Sequence, residues 1–398
     1  MKPTGINLND VKNANRAAVL YLLNREGRLS RKDISEKLGL TPAAVTKITR
    51  ELLSDGKIIE TGESGGASKA GRKKILLSLN SDGIFAVGIS LEADFCTYGI
   101  FKISGERVLS EKIKFDPKIP PEEFLKRISD GVNGLVKRSG VPYERIIGAG
   151  VGTVGSVNEN GETVGKYGLW NSGVKIKAAL EALLGLKVCV ENNIKAFVLA
   201  QTVFAGESDG ENKLFIKWGP GVGSAIVIEG EVFSSNRNSE AEIGHYIVHP
   251  NGTPCRCGRR GCLETHVSKS AILDRVRQSY SKENTPRLYK MTDGNAESIT
   301  VDMLFACDAH LDKSVEEIID RRINRMARAV VNAATLFDPD GVMLFGNMFT
   351  EKTVEKFISY CKAYYEEYSE SFISVAPLQD KADYIGPVAL AVKYMFLK

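Results

Sequence analysis

The sequence predicts a winged helix-turn-helix head of the α+β class followed by a two-lobed α/β body. Two short helical segments joined by a glycine turn, with a hairpin after them, predict the head within residues 1–80. Strands that alternate with helices predict the body over residues 81–398. A strand-rich opening occurs at 84–115 and again at 214–233, which indicates two related lobes around a cleft. The first lobe is expected at about 81–195 plus the C-terminal helix, and the second at about 196–380.

Capping residues set the predicted bounds of the helices in the head. Ser30 and Thr41 can accept a backbone hydrogen bond at a helix start, and Pro42 suits the first helical position. Glycines follow the helices and end them. Two short strands then enclose a tip rich in glycine and serine, which is the pattern of a wing. The predicted elements are helices over 14–25, 31–38 and 42–55 and strands over 58–60 and 75–77.

The head carries an excess of positive charge. Its 80 residues hold 15 lysines and arginines and 8 acidic residues, a net charge of +7, whereas the whole chain has +4. A basic head of this type indicates contact with DNA, although three-helix units of the same shape also bind proteins. Thr49 is expected on the exposed face of the third helix. The predicted DNA contacts are Arg31, Thr41, Ala43, Ala44, Thr46, Lys47 and Arg50, with Arg72 and Lys73 at the foot of the wing.

Apolar runs and amphipathic patterns alternate through the body. An amphipathic helix is predicted over 122–138, and another begins near Asn193. A hairpin is predicted around the glycine-rich segment 219–223. The predicted strands lie at 84–89, 95–103, 107–115, 145–151, 187–190, 214–218 and 224–228.

Three cysteines and one histidine fall within 18 residues of the second lobe. His245, Cys255, Cys257 and Cys262 form the ligand set of a closed structural zinc site. His249 is a rival to His245 as the fourth ligand, and three free cysteines in a loop are the alternative to a metal site. The odd total of seven cysteines argues against a disulfide framework and favours a reduced, cytoplasmic setting. The chain has neither a run of about 18 apolar residues nor a secretory signal pattern, so no membrane association is expected.

Two carboxylates lie beside this segment. Glu242 precedes His245, and Glu264 follows Cys262. A carboxylate can accept two hydrogen bonds from adjacent hydroxyls of a sugar. An imidazole that binds zinc through one nitrogen can use the other nitrogen on a ligand. The alternative role for both carboxylates is to cap the loop with hydrogen bonds.

These motifs mark a resemblance to a known family. Gly244-His245, about ten residues, and then Cys255-Arg256-Cys257-Gly258-Arg259-Arg260-Gly261-Cys262-Leu263-Glu264 resemble the signature of the ROK family of repressors and sugar kinases. The added head resembles the repressor branch. The resemblance implies a two-lobed actin/hexokinase-like fold, related to ribonuclease H, and a homodimer or tetramer. It implies sugar contacts at Asn192, Asn193, Glu242, His245 and Glu264, with the turn at 150–155 over the sugar and Trp170 either near the pocket or in the core.

The sequence departs from the kinase pattern of this family at the groups that handle phosphate. Where the kinases have an Asp-x-Gly-x-Thr turn, this chain has Ser90, Glu92 and Asp94. Where they have a catalytic aspartate, it has Asn193, and an amide cannot accept a proton at neutral pH. Phe345-Gly346-Asn347 replaces a glycine pair, and only the glycine loop at 221–223 is retained.

The resemblance and its departures together predict a repressor rather than an enzyme. We expect the head to bind operator DNA and the cleft to bind a sugar or sugar phosphate that controls this binding. The second reading is an ATP-dependent sugar kinase with an accessory DNA-binding head. The third is a docking module whose exposed zinc loop contacts another protein.

Overall fold

The computed structural model describes residues 7–64, 74–164, 168–170, 173–206, 210–235, 241–305 and 312–398. In the head, helix α1 begins earlier than the sequence pattern predicts, because Asn7 caps it and exchanges hydrogen bonds with Asp10. Ser30 and Thr41 cap the next two helices as predicted. The head elements are α1 (Leu8–Glu26), β1 (Leu29–Ser30), α2 (Arg31–Leu38), α3 (Pro42–Ser54), β2 (Ile58–Ser64) and β3 (Lys74–Leu79).

The first lobe contains a five-stranded sheet. Its strand order is β10-β7-β4-β5-β6, with β4 parallel to β7 and antiparallel to β5. Helices α4 and α5 pack against each other beside this sheet. The elements are β4 (Phe85–Leu91), β5 (Phe95–Lys102), β6 (Arg107–Lys114), α4 (Pro121–Ser139), β7 (Ile146–Thr153), β8 (Ser156–Val157), β9 (Thr163–Val164), α5 (Ile176–Leu184) and β10 (Val188–Asn192).

The second lobe contains another five-stranded sheet, of order β13-β12-β11-β14-β15. Strands β11 and β12 form the predicted antiparallel hairpin, and β14 runs parallel to β11. From α6 to the C-terminus the elements are α6 (Asn193–Ala200), β11 (Lys213–Trp218), β12 (Val222–Ile228), β13 (Glu231–Val232), α7 (Glu264–Val267), α8 (Lys269–Ser279), α9 (Pro286–Met291), α10 (Val301–Phe305), α11 (Lys313–Phe337), β14 (Gly341–Phe345), α12 (Glu351–Tyr364), β15 (Ile373–Val375) and α13 (Ile385–Ala391).

The C-terminal helix α13 returns to the first lobe and packs against α6, β4 and β7. Its approach to β7 depends on Gly150, because a β-carbon there would lie 1.8 Å from the carbonyl oxygen of Pro387. Helices α6 and α13 both continue as short π-helical turns, at Gln201–Ala205 and Val392–Phe396. A continuous apolar core joins these turns to the head.

Polar contacts also hold the head on the two π-helical turns. The Asn24 side-chain amide donates to the carbonyl oxygen of Val203 at 2.7 Å. Lys57 donates to the carbonyl oxygen of Phe396 at 3.4 Å and lies over its ring. The head therefore contacts the C-terminal ends of α6 and α13, two helices that pack against each other within the body. Among the described residues, the model has no helix with the length and apolar character needed to cross a membrane.

Candidate functional site

The predicted metal ligands converge in the second lobe. The Sγ atoms of Cys257 and Cys262 lie 3.5 Å apart, and Sγ of Cys255 lies 3.6 Å from Nδ1 of His245. All four donor atoms are within 4.8 Å of one another. Ligands at about 2.0–2.3 Å from a central zinc ion give separations of this order. The cluster can therefore hold a metal ion, and its sulfur and nitrogen donors fit zinc.

The loop around the cluster is folded tightly on itself. Residues Pro254 and Arg260 form one isolated bridge, and Ile247 and Cys262 form another. Gly261 has a φ of +67° and a β-carbon there would lie 1.6 Å from the carbonyl oxygen of His249. Only glycine permits this contact. The side chain of His249 lies outside the cluster and its ring is 5.9 Å from that of His266, so the model favours His245 over His249 as the fourth ligand.

Burial shifts the pKa values of the residues in the cluster. It lowers the pKa of His245, which keeps the imidazole neutral, as metal binding requires. Burial raises the pKa of Cys262 to about 12 and raises that of Cys255 as well. Burial also acts upward on Cys257, but hydrogen bonds from the Arg259 backbone and the neighbouring thiols outweigh it and lower the pKa. A divalent cation among these sulfurs would favour the thiolate form of all three.

A cleft of about 370 Å³ lies between the lobes, next to the cluster. Its volume falls within the range of about 300–1,000 Å³ that is usual for small-molecule sites. All five predicted sugar contacts line it, as do Val154 and Gly155 of the predicted turn. The lining side chains with polar groups include Glu92, Glu191, Asn192, Asn193, Lys217, Glu242, His245, Arg256 and Glu264.

Three of the predicted contacts are on the second-lobe side of the cleft. His245 directs Nδ1 toward the sulfur of Cys255, and its Nε2 lies 4.0 Å from a carboxylate oxygen of Glu242. Glu264 accepts a hydrogen bond from the Val222 backbone with Oε2, while its Oε1 lies 3.6 Å from Nε of Arg256. One imidazole thus faces the cluster on one side and the cleft on the other, as the sequence predicts.

The two asparagines have different roles. Asn192 caps α6, because its oxygen accepts hydrogen bonds from the backbone of Ile194 and Lys195. Its amide nitrogen donates to the carbonyl oxygen of Gly155 at 2.9 Å. Asn192 therefore fixes the turn that covers the cleft, in addition to lining it. Asn193 donates to Glu92 at 2.8 Å.

Salt bridges cross the cleft at Glu92 and Asp94, the residues predicted to replace the phosphate turn. Lys217 of the second lobe donates to both carboxylate oxygens of Glu92 at 2.8 Å, and only 17% and 9% of the two side chains are exposed. Lys269 lies 3.8 Å from Asp94. The sequence reasoning missed Lys217. Its one signal is a lysine between the apolar residues Ile216 and Trp218 of β11, which indicates a buried partner.

Trp170 belongs to the core of the first lobe. Its ring makes edge contacts with Phe115 and Phe124 at centroid distances of 5.4 and 6.2 Å. Among the described residues, the lining of the cleft does not include it. Trp170 therefore packs in the core, as one of the two alternatives states, and does not line the cleft.

Helix α3 presents the predicted DNA-binding face. Thr41, Ala43, Thr46, Lys47 and Arg50 are exposed, and Ala44 is half-buried. The model gives Lys47 and Arg50 no salt bridge or hydrogen bond to a described side chain. The two cations are therefore available for phosphate or base contacts.

Two predictions about the head need correction or restriction. Thr49 is buried rather than exposed, because it lies on the face of α3 that also buries Val45 and Leu52. Its hydroxyl donates to the Val45 carbonyl oxygen and accepts from Nε of Arg31 at 3.0 Å. Arg31 also contacts Glu60 at 3.1 Å, so its guanidinium is engaged within the head. Arg72 and Lys73 lie outside the described residues.

Comparison with known proteins identifies the family. The ROK family pattern matches residues 86–394, which is most of the chain. The chain belongs to the ROK family. A pattern described as a winged helix-turn-helix for DNA binding matches residues 12–59 of this ROK protein. Both matches agree with the predicted head and body.

Two sequence relatives and one solved structure are similar to this ROK protein. It is 26% identical over 393 residues to a putative xylose repressor of Caldicellulosiruptor sp. strain Rt8B.4, with 97% of each chain covered. It is 27% identical over 318 residues to a glucokinase of Thermotoga maritima, covering 76% of this chain and 96% of the kinase. A solved ROK family transcriptional regulator, a homologue of the E. coli MLC protein, aligns with a TM-score of 0.78 at 24% identity over 97% of both chains. The predicted fold, a winged helix-turn-helix head on a hexokinase-like body, is confirmed.

Proposed function

We propose that this protein is a transcription repressor of sugar-metabolism genes, controlled by a sugar or sugar phosphate in the cleft. Its similarity to a putative xylose repressor along nearly the whole chain supports this function. The single observation that carries this proposal is that one helix, α6, connects the cleft to the head. Helix α6 begins at the cleft with Asn193 and continues into the π-helical turn that accepts the hydrogen bond of Asn24.

The connection through α6 gives a mechanism by which sugar binding can control operator affinity. A sugar that contacts Asn193, Glu242 and Glu264 joins groups from both lobes, so it favours a closed arrangement of the cleft. Any shift of α6 on closure moves the surface on which the head rests. Two heads of a homodimer or tetramer would bind operator half-sites spaced by whole helical turns. A change in the position of the heads therefore changes operator affinity.

The cofactor of the proposed repressor is one structural zinc ion. His245, Cys255, Cys257 and Cys262 would hold it. Bound zinc would stabilise the loop and fix the His245 ring, whose second nitrogen then faces the cleft. Reduced thiols of this kind fit a protein of the cytoplasm.

The second candidate function is an ATP-dependent sugar kinase, which the glucokinase relative favours. The charges in the cleft oppose it. Glu92 and Asp94 stand in place of the phosphate turn, and lysines of the other lobe are paired with them. Asn193 cannot take the proton of a sugar hydroxyl, and general-base catalysis supplies roughly 10²–10⁴ in rate.

We therefore expect no phosphoryl transfer. Purified protein mixed with ATP, Mg²⁺ and a panel of hexoses and pentoses should release ADP no faster than a protein-free blank in a coupled assay. A ROK glucokinase assayed in parallel serves as the positive control. Release that depends on a sugar and follows the protein concentration would support the kinase function instead.

The recognition helix gives a second prediction. Replacing Lys47 and Arg50 together with alanine should weaken operator binding about 100-fold at fixed salt, since each lost base or phosphate contact costs about 1–3 kcal/mol. Fluorescence anisotropy with labelled operator measures the change. Lys126→Ala is the control, because Lys126 is an exposed body residue paired with Asp130. Equal operator affinity of the double variant and the control would show that α3 is not the recognition helix.

A further inference from the structure

The cleft is lined by more acidic than basic side chains. Among the described residues, its lining has four carboxylates and three cations. They are Glu92, Glu191, Glu242 and Glu264, and Lys195, Lys217 and Arg256. A phosphate monoester carries a charge of roughly −1.5 to −2 at neutral pH, so its binding needs cations or N–H donors that are not already engaged. The contacts of the three cations therefore bear on the class of ligand that the cleft can hold.

The mostly buried cation of the cleft, Lys217, is neutralised by the protein itself. Its ammonium group lies 2.8 Å from both carboxylate oxygens of Glu92. The amide of Asn193 donates to the same carboxylate at 2.8 Å. A phosphate could contact Lys217 or Asn193 only by displacing Glu92, and it would then stand next to a second negative charge. Such a pair of like charges opposes binding.

A second carboxylate occupies the glycine loop at 221–223, the phosphate-type element that the chain retains. Oε2 of Glu264 accepts the backbone N–H of Val222 at 3.0 Å. The same oxygen would lie 2.9 Å from a β-carbon at Gly221, so the carboxylate packs directly on the loop. Oε1 of Glu264 lies 3.6 Å from Nε of Arg256. Backbone N–H groups of such loops can bind phosphate, but here the N–H of Val222 already has an anionic partner.

The third cation also has an acceptor within the protein. The ammonium group of Lys195 donates to the hydroxyl of Ser234 at 3.0 Å. Each cation of the lining thus contacts or faces an oxygen of the chain. Sugar hydroxyls do not need free cations, because they can donate to carboxylates such as Glu242 and Glu264. A phosphate group at neutral pH has at most one proton to donate to such acceptors.

We propose that the effector of the cleft is an uncharged sugar, and that Glu92 and Glu264 exclude its phosphate esters. The inference rests on the proposed function, since it names the class of effector that acts at the same site. The two carboxylates come from opposite lobes, and each of them occupies a donor that a phosphate would use. Glu92 and Glu264 would thus select the effector by repelling the alternative ligand.

Calorimetric titration of the full chain with zinc tests this specificity. The probes are glucose, mannose, xylose and N-acetylglucosamine, each beside its primary phosphate ester. We expect at least one of the four sugars to bind, and its ester to bind at least about tenfold more weakly. An ester that binds as tightly as its sugar would overturn the inference and leave the proposed function standing. Binding of no sugar and no ester would overturn both, because the cleft would then hold neither class of effector.

Two variants test the role of Glu92. Glu92→Gln removes the repelling carboxylate and frees the ammonium group of Lys217, so affinity for the ester should rise about tenfold or more. Affinity for the sugar should change by less than about threefold, because the sugar carries no charge. Glu92→Gln/Lys217→Met removes both charges, so its affinity for the ester should lie between those of the wild type and Glu92→Gln.

Glu106→Gln is the matched control for the loss of one carboxylate. Glu106 is an exposed residue of the first lobe that pairs with Lys102, and among the described residues the lining of the cleft does not include it. This variant should bind sugar and ester as the wild type does. Unchanged affinity for the ester in both Glu92 variants would show that Glu92 does not set the specificity. If Glu92→Gln does not fold, the double variant decides, because it leaves no buried charge unpaired.

Discussion

Cys257→Ser should abolish stoichiometric zinc binding and lower Tm by roughly 10 °C, the shift expected for a loss of about 4 kcal/mol in a domain of moderate size. The serine hydroxyl does not ionise at neutral pH, so only three ligands remain for a site that binds zinc through four. Cys257 is also the ligand whose pKa the surrounding hydrogen bonds already lower. The loop should lose its order, because metal binding and folding of such a loop are coupled.

Cys189→Ser is the matched control for this substitution. Cys189 is a partly buried thiol in β10, outside the metal cluster. Zinc content per chain by elemental analysis and Tm by calorimetry should both be retained in this variant. If Cys257→Ser keeps one zinc ion per chain and the Tm of the wild type, the cluster is not a zinc site.

Lys217→Met should destabilise the body by about 3–5 kcal/mol, the usual effect of leaving one charge of a buried pair alone. Glu92 would lose the ammonium group that contacts both of its oxygens, and its remaining partner would be the amide of Asn193. The pair also joins the two lobes, so the cleft should open more readily. Urea unfolding measures the stability.

The double variant Glu92→Gln/Lys217→Met is the control for the salt bridge. It removes both charges, so most of the stability lost in Lys217→Met should return. A double variant as unstable as Lys217→Met would mean that packing of the lysine stem, not its charge, stabilises this region.

The sequence was most informative where function depends on local spacing. The predicted metal ligands lie within one segment, so their order along the chain was enough to predict the cluster that His245 and the three cysteines form. The helix starts of the head could be predicted equally well, because Ser30, Thr41 and Pro42 act on the backbone next to them. The prediction for Thr49 is wrong, because Thr49 lies on the buried face of α3 with Val45, Ile48 and Leu52. Its hydroxyl tolerates burial through hydrogen bonds with Val45 and Arg31, and the partner from α2 is not visible in the local pattern.

Contacts between distant segments were not predictable in this way. Glu92 and Lys217 are 125 residues apart, and only the folded lobes bring them together. The docking of Asn24 on Val203 has the same origin. The departures from the kinase pattern point to Glu92 and Asn193, and both residues line the cleft. They could not show that lysines of the opposite lobe would pair with the new carboxylates.

The most direct test of the account is the affinity of the protein for its operator, measured by anisotropy during titration with a panel of sugars and sugar phosphates. At least one of them should change the operator Kd tenfold or more, a shift of about 1.4 kcal/mol in the coupling between the two sites. The same compound should have no effect on Glu242→Gln, which lacks one of the carboxylates in the cleft. If every compound leaves the operator Kd unchanged while one of them binds in the cleft, the cleft does not control the head.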